Sequence, residues 1–371
     1  MSIKKGSVPM LKNKDLWTYL QKNDKKILMY GMGNGADKIL SVCERYGIEI
    51  SDFFASDGFV RGHMFHGKRV LSYSEAKEKY GRENMIILLS FASSLPDVME
   101  NIYRIADECE LYAPDVPVCG DNLFNYEFYV ENKDKFDRTE ALLCDERSIA
   151  VFRSVVAYKL SGDVGCLKGS HSDFSEVYHL LGADSFERIA DLGAYNGDTL
   201  REITPFAPNL KNAIAFEPDR RNYKKLSEYA ETVENFKITP LKLAAWCENA
   251  TLYFDGSGNR NSSLISGAQM SVTKQPKIVE AEADSLDNIL DGEGIDYIKY
   301  DVEGSEREAI LGSVKTIEKH RPALMISLYH RSEDLFAIPL MIHERFPDYK
   351  FFMRRRQYIP AWDTVLIAVK K

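Results

Sequence analysis

Short apolar runs separated by stretches of helical spacing fill two successive series along the chain. In the first, from Lys26 to about Pro114, strands are predicted at Ile27 to Tyr30, Ile48 to Phe54, Arg69 to Leu71, Met85 to Leu89 and Leu111-Tyr112. Helices are predicted between them at Ala36 to Tyr46, Ser74 to Tyr80 and Leu95 to Ala106. Alternation of this kind predicts a small parallel sheet covered by helices. From Leu123 to Leu160 the apolar positions Leu142, Ile149, Phe152, Val156 and Leu160 fall on one helical face, which predicts a helical connector. Gly162, Gly165 and Gly169 then punctuate the chain.

The second series predicts strands at Arg188 to Leu192, Ala213 to Phe216, Thr239 to Ala244, Tyr297 to Val302 and Ala323 to Tyr329. Helices are expected at Thr199 to Phe206, Asn222 to Tyr229, Ser305 to about Lys319 and Ser332 to Phe346. Ala250 to Phe254 and Lys277 to Ala283 read as an inserted antiparallel pair. Tyr349 to Met353 and Thr364 to Val369 have no helix between them and should also pair antiparallel. The expected architecture is α/β, divided into a smaller Rossmann-like accessory domain (1–120), the connector (121–184) and a mostly parallel sheet with one antiparallel strand (185–371).

The length of 371 residues suits two or three domains. Apolar residues make up 44% and charged residues 28%, and no apolar run reaches the length of a membrane span, which argues against a membrane role. The N-terminus lacks the apolar core of a signal peptide, and the six cysteines form no metal-type pair, so a reducing, cytoplasmic setting is expected. A net charge of −8 argues against a nucleic-acid partner. The one dense basic run, Arg354-Arg355-Arg356, sits in an apolar strand and reads as a strand with one solvated face rather than a phosphate clamp.

The chemistry gathers where the predicted strands of the second series end. Asp191-Leu-Gly193-Ala-Tyr-Asn-Gly197-Asp198 follows the first strand, Glu217 the second, and Asp301-Val-Glu303-Gly304 a later one. Open α/β sheets bind ligands at strand C-termini, and glycines there let backbone approach the ligand. Roughly 25 residues separate Asp191 from Glu217, as one βαβ step requires, and a carboxylate at Glu217 can accept both hydroxyls of a ribose. Asp191 and Asp198 also suit the start of a helix, a reading that explains Asp198 well and Glu217 poorly. Negative charge at these ends favours a cationic adenosine derivative such as S-adenosyl-L-methionine over a pyrophosphate.

His330 follows a predicted strand and should face the same cleft, where a near-neutral imidazole suits a general base; Asp301 competes for that role. Glu306 favours the N-terminus of the next helix, and no metal is expected. Asp284-Ser-Leu-Asp287 reads as a helix start with reciprocal capping. In the first series Gly31-Met-Gly33-Asn-Gly35-Ala36 follows a strand, with Asp57 about 20 residues beyond, as a ribose-binding acid would lie. Ser56-Asp-Gly58 reads equally well as a turn. The functional alternative is a nucleotide or nucleotide-sugar site, and with it an NAD-linked oxidoreductase. The bland reading is glycines that only allow tight packing.

These residues, with Ala215-Phe216-Glu217-Pro218, Ile298-Lys-Tyr-Asp301-Val-Glu303-Gly304-Ser-Glu306, Ser285-Leu286-Asp287, Gly312, Arg321-Pro322 and Ile326 to Asp334, resemble the FkbM family of S-adenosylmethionine-dependent methyltransferases over about residues 185 to 371. The resemblance implies a seven-stranded class I methyltransferase sheet. It also implies cofactor-binding roles for Asp191, Gly193, Gly197, Asp198, Glu217, Ala244, Ala245 and Asp301, and catalytic roles for His330, Asp301 and Glu303 beside the transferred methyl. The expected acceptor is a hydroxyl of a sugar or another polar small molecule. The accessory domain could recruit the acceptor or mediate self-association. A non-catalytic scaffold that keeps the cofactor remains the third alternative. Asp255 to Lys277, rich in Gly, Ser and Asn, is expected to be a lid or acceptor loop.

Overall fold

The computed structural model describes residues 14–60, 62–255 and 278–370. The first series folds into a five-stranded all-parallel sheet of β1 (Lys26–Tyr30), β2 (Ile50–Ala55), β3 (Leu71–Ser72), β4 (Met85–Leu89) and β5 (Glu110–Tyr112), in the order β3-β2-β1-β4-β5. The inner strands β1 and β4 read as nearly continuous apolar sequence because helices cover both faces.

Helices Tyr126–Glu131, Lys133–Leu142 and Glu146–Ser161 follow. One apolar cluster runs from Tyr30, Ile87 and Leu89 through Phe136, Val151, Val155 and Val156 to Ile298 and Ile326, so the connector helices are shared core. A helix at Phe174–Leu181, inside the expected helical connector but beyond the periodicity that ends at Leu160, covers the second sheet.

That second sheet has seven strands: β6 (Arg188–Leu192), β7 (Asn212–Phe216), β8 (Lys237–Leu241), β12 (Tyr297–Tyr300), β13 (Ala323–Ser327), β14 (Tyr349–Arg355) and β15 (Thr364–Lys370). Between β8 and β12 the short strands β9 (Ala244–Ala245), β10 (Ala250–Asp255) and β11 (Ile278–Asp284) form a separate sheet in the order β9-β11-β10. The large sheet runs β8-β7-β6-β12-β13-β15-β14, with β15 antiparallel to both neighbours and all other pairs parallel. This is the class I methyltransferase arrangement. The inserted pair is antiparallel as expected, and the expected lid beyond Asp255 lies outside the described residues. No helix among the described residues is long and apolar enough to cross a membrane.

Four local expectations change. The strand expected over Thr239 to Ala244 breaks after Leu241, and Ala244-Ala245 pairs with β11 instead. The long helix expected from Ser305 splits into Glu306–Leu311 and Val314–His320. The break sits at Gly312, where a Cβ would lie 2.0 Å from the Trp246 carbonyl oxygen. Ser285 caps its helix by accepting from Asn288 N at 3.2 Å, but Asp287 does not reciprocate. Its carboxylate instead accepts from Lys315 N and Thr316 N at 3.0 and 2.8 Å and starts the second half of the split helix. Finally, the basic run has no solvated face at Arg354 or Arg355, which are 3% and 2% exposed. Connector residues enclose this edge strand: Arg354 pairs with Asp145 and Glu176, and Arg355 donates to the Leu167 carbonyl and Ser170.

Candidate active site

A cavity of about 430 Å³ opens at the C-terminal ends of β6, β7, β12 and β13. Gly193, with φ of +87°, starts the turn after β6. A Cβ there would lie 1.9 Å from the carbonyl oxygen of Asp301, so only glycine lets the ends of the paired strands β6 and β12 approach this closely. The turn is sewn to β7 by Gly193 N and Ala194 N, which donate to the Phe216 carbonyl at 3.1 and 2.8 Å.

Glu217 completes the seam. Its two oxygens accept from Tyr195 N and Asp219 N, each at 2.8 Å. Burial pushes its carboxyl up to about 7 despite those two backbone donors. Each carboxylate oxygen retains a lone pair, so a ribose can still be held. Ala244, Ala245 and Leu252 continue the wall on this side.

Beneath the turn, Lys299 Nζ lies 3.0 Å from Asp191 Oδ1, 3.0 Å from the Gly193 carbonyl oxygen and 3.8 Å from Asp301 Oδ2. Burial would lower the Lys299 pKa, but Asp191 and Asp301 outweigh it and raise it. Asp191 is 1% exposed and therefore braces the turn from behind rather than lining the cavity. Burial pushes its carboxyl upward against the pull of Lys299, and its Oδ2 has no hydrogen-bond partner. The sequence motifs assign Lys299 no role. Its signal is a charged residue between Ile298 and Tyr300 in a strand buried on both faces.

The opposite wall carries the acids expected beside the reacting methyl. Asp301 Oδ1 accepts from Ser327 Oγ at 2.9 Å and Tyr329 Oη at 3.0 Å. Burial acts to raise its pKa, but Lys299, His330 and these donors hold it below the usual carboxylate range. Glu303 takes a left-handed backbone, φ +53°, that turns its side chain onto the cavity wall. Burial, with Asp301 and Glu306 adding to it, pushes its carboxyl up to about 7, and Oε2 has no hydrogen-bond partner.

His330 differs from expectation. It is fully buried behind these acids, with Nδ1 2.8 Å from Glu306 Oε1 and Nε2 at 3.5 Å from Glu303 Oε2 and 3.7 Å from Asp301 Oδ1. These are ion-pair contacts rather than aligned hydrogen bonds. Burial opposes charging the ring, but Glu306, Glu303 and Asp301 outweigh it and raise its pKa to about 10. The ring is therefore an imidazolium at neutral pH, not the near-neutral base expected. Glu306, 1% exposed, also accepts from Val302 N at 2.9 Å and so ties His330 to the Asp301–Gly304 turn. Donor atoms of Asp301, Glu306 and His330 all lie within 4.8 Å of one another, and these are the described residues that could jointly hold an ion.

Gly193, Asp198, Glu217, Ala244, Ala245, Asp301 and Glu303 thus come together around one cavity. Gly197 does not line it: its α-carbon packs against Tyr229, whose ring a Cβ would meet at 2.6 Å. Residues in and just after the first series also reach the site. Cys119 N donates to the His330 carbonyl at 2.9 Å, Cys119 Sγ to the Glu303 carbonyl at 3.1 Å, and Lys38 Nζ to the Val118 carbonyl at 2.8 Å.

In the other glycine motif packing accounts for Gly31 and Gly35, whereas Gly33, at φ +97°, has nothing within 4 Å of where a Cβ would lie. A Cβ on Gly31 would meet Phe91 and Ser90 at 2.7 Å, and one on Gly35 the Ser90 carbonyl oxygen at 2.2 Å. Asp57, read equally as a ribose acid or as part of a turn, is engaged by Ser74 N at 2.9 Å and Ser74 Oγ at 2.8 Å.

The cavity chemistry fits a cationic adenosyl ligand. Asp198, Glu217, Asp301 and Glu303 line it, while its two lining cations, Lys299 and Arg356, already face Asp191 and Glu202.

Residues 191–360 match the model of the methyltransferase FkbM domain. Over 93% of this chain and 90% of the other, the fold is similar to the crystal structure of methyltransferase FkbM from Methylobacillus flagellatus, with a TM-score of 0.68 at 20% identity. Weaker similarity, at TM-scores of 0.32 and 13% identity, is found to Aeropyrum pernix fibrillarin with bound S-adenosyl-L-methionine (52% of this chain, 73% of that one) and to an rRNA methylase from Streptococcus thermophilus (53% and 91%). No curated protein sequence matches the chain significantly. Residues 191–360, from β6 to the loop after β14, are a methyltransferase FkbM domain on a strand order of this class, and the chain is a methyltransferase that uses S-adenosylmethionine.

Proposed function

We propose that this enzyme methylates a hydroxyl of a sugar or similarly polar small molecule, with Glu303 as the group that receives the hydroxyl proton. The observation that supports the base assignment is the carboxylate of Glu303: it lies on the cavity wall, its Oε2 accepts no hydrogen bond and sits 3.5 Å from His330 Nε2, and its pKa is near neutrality. A base poised near the working pH best combines the correct protonation state with proton affinity.

When bound, S-adenosylmethionine supplies a methyl group on a sulfonium. Asp198, Glu217 and the Ala244-Ala245 segment hold the ligand, and Asp191 with Lys299 keeps the turn beneath it in place. Asp301, fixed by Ser327 and Tyr329, stays ionised and orients the acceptor. Glu303 accepts the proton as the oxygen attacks in line, and positioning on that line supplies much of the acceleration. His330 is a positioning residue: its imidazolium offsets the charge of Asp301, Glu303 and Glu306 and reaches no ligand itself.

Titration calorimetry with S-adenosylhomocysteine, paired with its release from S-adenosylmethionine over a panel of hydroxyl acceptors, tests the reading. Glu217→Gln should weaken binding about 10-fold or more by losing a charged acceptor. Glu303→Gln should bind the product normally and fail to turn over. Unimpaired turnover by Glu303→Gln would remove it as the base.

A further inference from the structure

Beyond Asp301 the cavity wall becomes aromatic. Tyr329, whose hydroxyl donates to Asp301, stacks with Trp362 at a ring-centroid distance of 6.3 Å, and Trp362 stacks with Tyr358 at 5.8 Å. All three rings line the cavity. Tyr329 follows β13 and Trp362 precedes β15, whereas Glu217 follows β7, so the strand order sets the rings and the ribose-binding acid on opposite sides of β6 and β12. A polar rim accompanies the rings: Arg356, paired with Glu202 at 2.9 Å, together with Asp363 and Ser94.

The loop carrying Tyr358 and Trp362 is fastened to the first domain. Ser93 N donates to the Ile359 carbonyl at 2.9 Å, and Ile359 N to the Ser93 carbonyl at 3.0 Å, a two-bond bridge beyond β4. The next residue, Ser94, and Val118 from the same domain line the cavity.

We propose that this end is a pyranose-binding subsite shared by the two domains, in which the aromatic wall receives the C–H face of the ring and the rim receives its hydroxyls. The proposal rests on the methyltransferase reading of the same cavity. A pyranose combines an apolar face with a polar edge, and the electron-rich faces of Tyr and Trp attract its slightly positive C–H groups. A planar phenolic acceptor could use the wall but has few hydroxyls beyond the one that reacts, so it would strip water from more of the rim than it could replace, which is costly. The bridge gives the first domain its part in this site: it fixes the wall and closes the acceptor end with Ser94 and Val118.

The test uses the full-length enzyme saturated with S-adenosylhomocysteine and a panel of methyl α- and β-D-pyranosides, read by saturation-transfer NMR and calorimetry. At least one pyranoside should show transfer to its ring C–H protons. Trp362→Leu should weaken that binding at least 10-fold, Trp362→Phe should restore most of it, and Val118→Trp should block it from the other domain. S-adenosylhomocysteine affinity should stay within twofold in all three variants. Binding of S-adenosylhomocysteine without any pyranoside signal, pyranoside binding indifferent to Trp362→Leu, or binding of catechol in place of every pyranoside would overturn the subsite. Failure of S-adenosylhomocysteine to bind while pyranosides do would instead strike the methyltransferase reading and leave the subsite standing.

Discussion

Glu303 Oε2 and His330 Nε2 lie 3.5 Å apart, and their surroundings exchange the roles that their intrinsic pKa values suggest. Glutamate ordinarily titrates near 4.3 and histidine near 6.5. Here burial lifts Glu303 to about 7, and three facing carboxylates lift His330 to about 10. Two outcomes follow. If Glu303 must be ionised to accept a proton, kcat/KM should rise with pH through about 7 and level off above it; a flat profile from pH 5.5 to 8.5 would exclude it. His330 gives the opposite sign for stability. Its folded-state pKa exceeds its unfolded value, so its contribution is fully present below about pH 6.5 and lost as pH rises towards 10. His330→Gln, which removes the imidazolium that faces Asp301, Glu303 and Glu306, should cost on the order of 3–5 kcal/mol at pH 6. Urea denaturation at pH 6 and pH 9.5 measures both: the gap between wild type and variant should shrink at the higher pH. Strand ends bring both residues to the cleft as the sequence predicts, but His330 stops behind its wall. Sequence could not weigh burial against neighbouring charge, because Glu306, 24 residues before His330, faces it only in the folded chain.

At the level of elements, strand ends were legible because apolar runs, glycines and acids mark them in one dimension. What those glycines do was less legible. Gly193 and Gly197 share a turn and a left-handed backbone, φ +87° and +82°, and look equivalent in the sequence. Their surroundings differ: a Cβ at Gly193 would strike the Asp301 carbonyl, and one at Gly197 the movable ring of Tyr229. Gly193→Ala should therefore cost more, separating β6 from β12 and lowering S-adenosylhomocysteine affinity by about 10-fold or more, while Gly197→Ala acts mainly on stability by about 1–3 kcal/mol. Equal loss of affinity in the two variants would show that both glycines approach the ligand. Lys299 and Gly312 teach the same lesson. A buried lysine and a helix-breaking glycine are both visible in the sequence, but Asp191 and the Trp246 carbonyl, the groups that explain them, are brought there by tertiary pairing.

For the whole molecule, alternation in the sequence exposed two sheets but suggested a connector that merely joins them. In the structure the helix Glu146–Ser161 lies inside a single apolar cluster that includes residues of both sheets. A buried ion pair reinforces that joint: Lys159 Nζ lies 2.9 Å from Asp115 Oδ2, with both side chains at most 5% exposed. Two domains that met only at a wet surface would unfold separately, whereas a shared core makes exposure of either half costly to the other. We therefore expect one cooperative transition in urea. Trp17 lies in the first half and Trp246 and Trp362 in the second, so a Trp17→Phe variant makes fluorescence report the second half alone, while far-UV circular dichroism reports both. The two curves should coincide. Asp115→Asn should move them together to lower urea by about 3–5 kcal/mol, because it leaves the lysine charge buried without its partner. If the second half kept its own midpoint while the dichroism signal split into two steps, the connector would be a hinge between independent domains, and the pyranose subsite at their junction would have to form on closure.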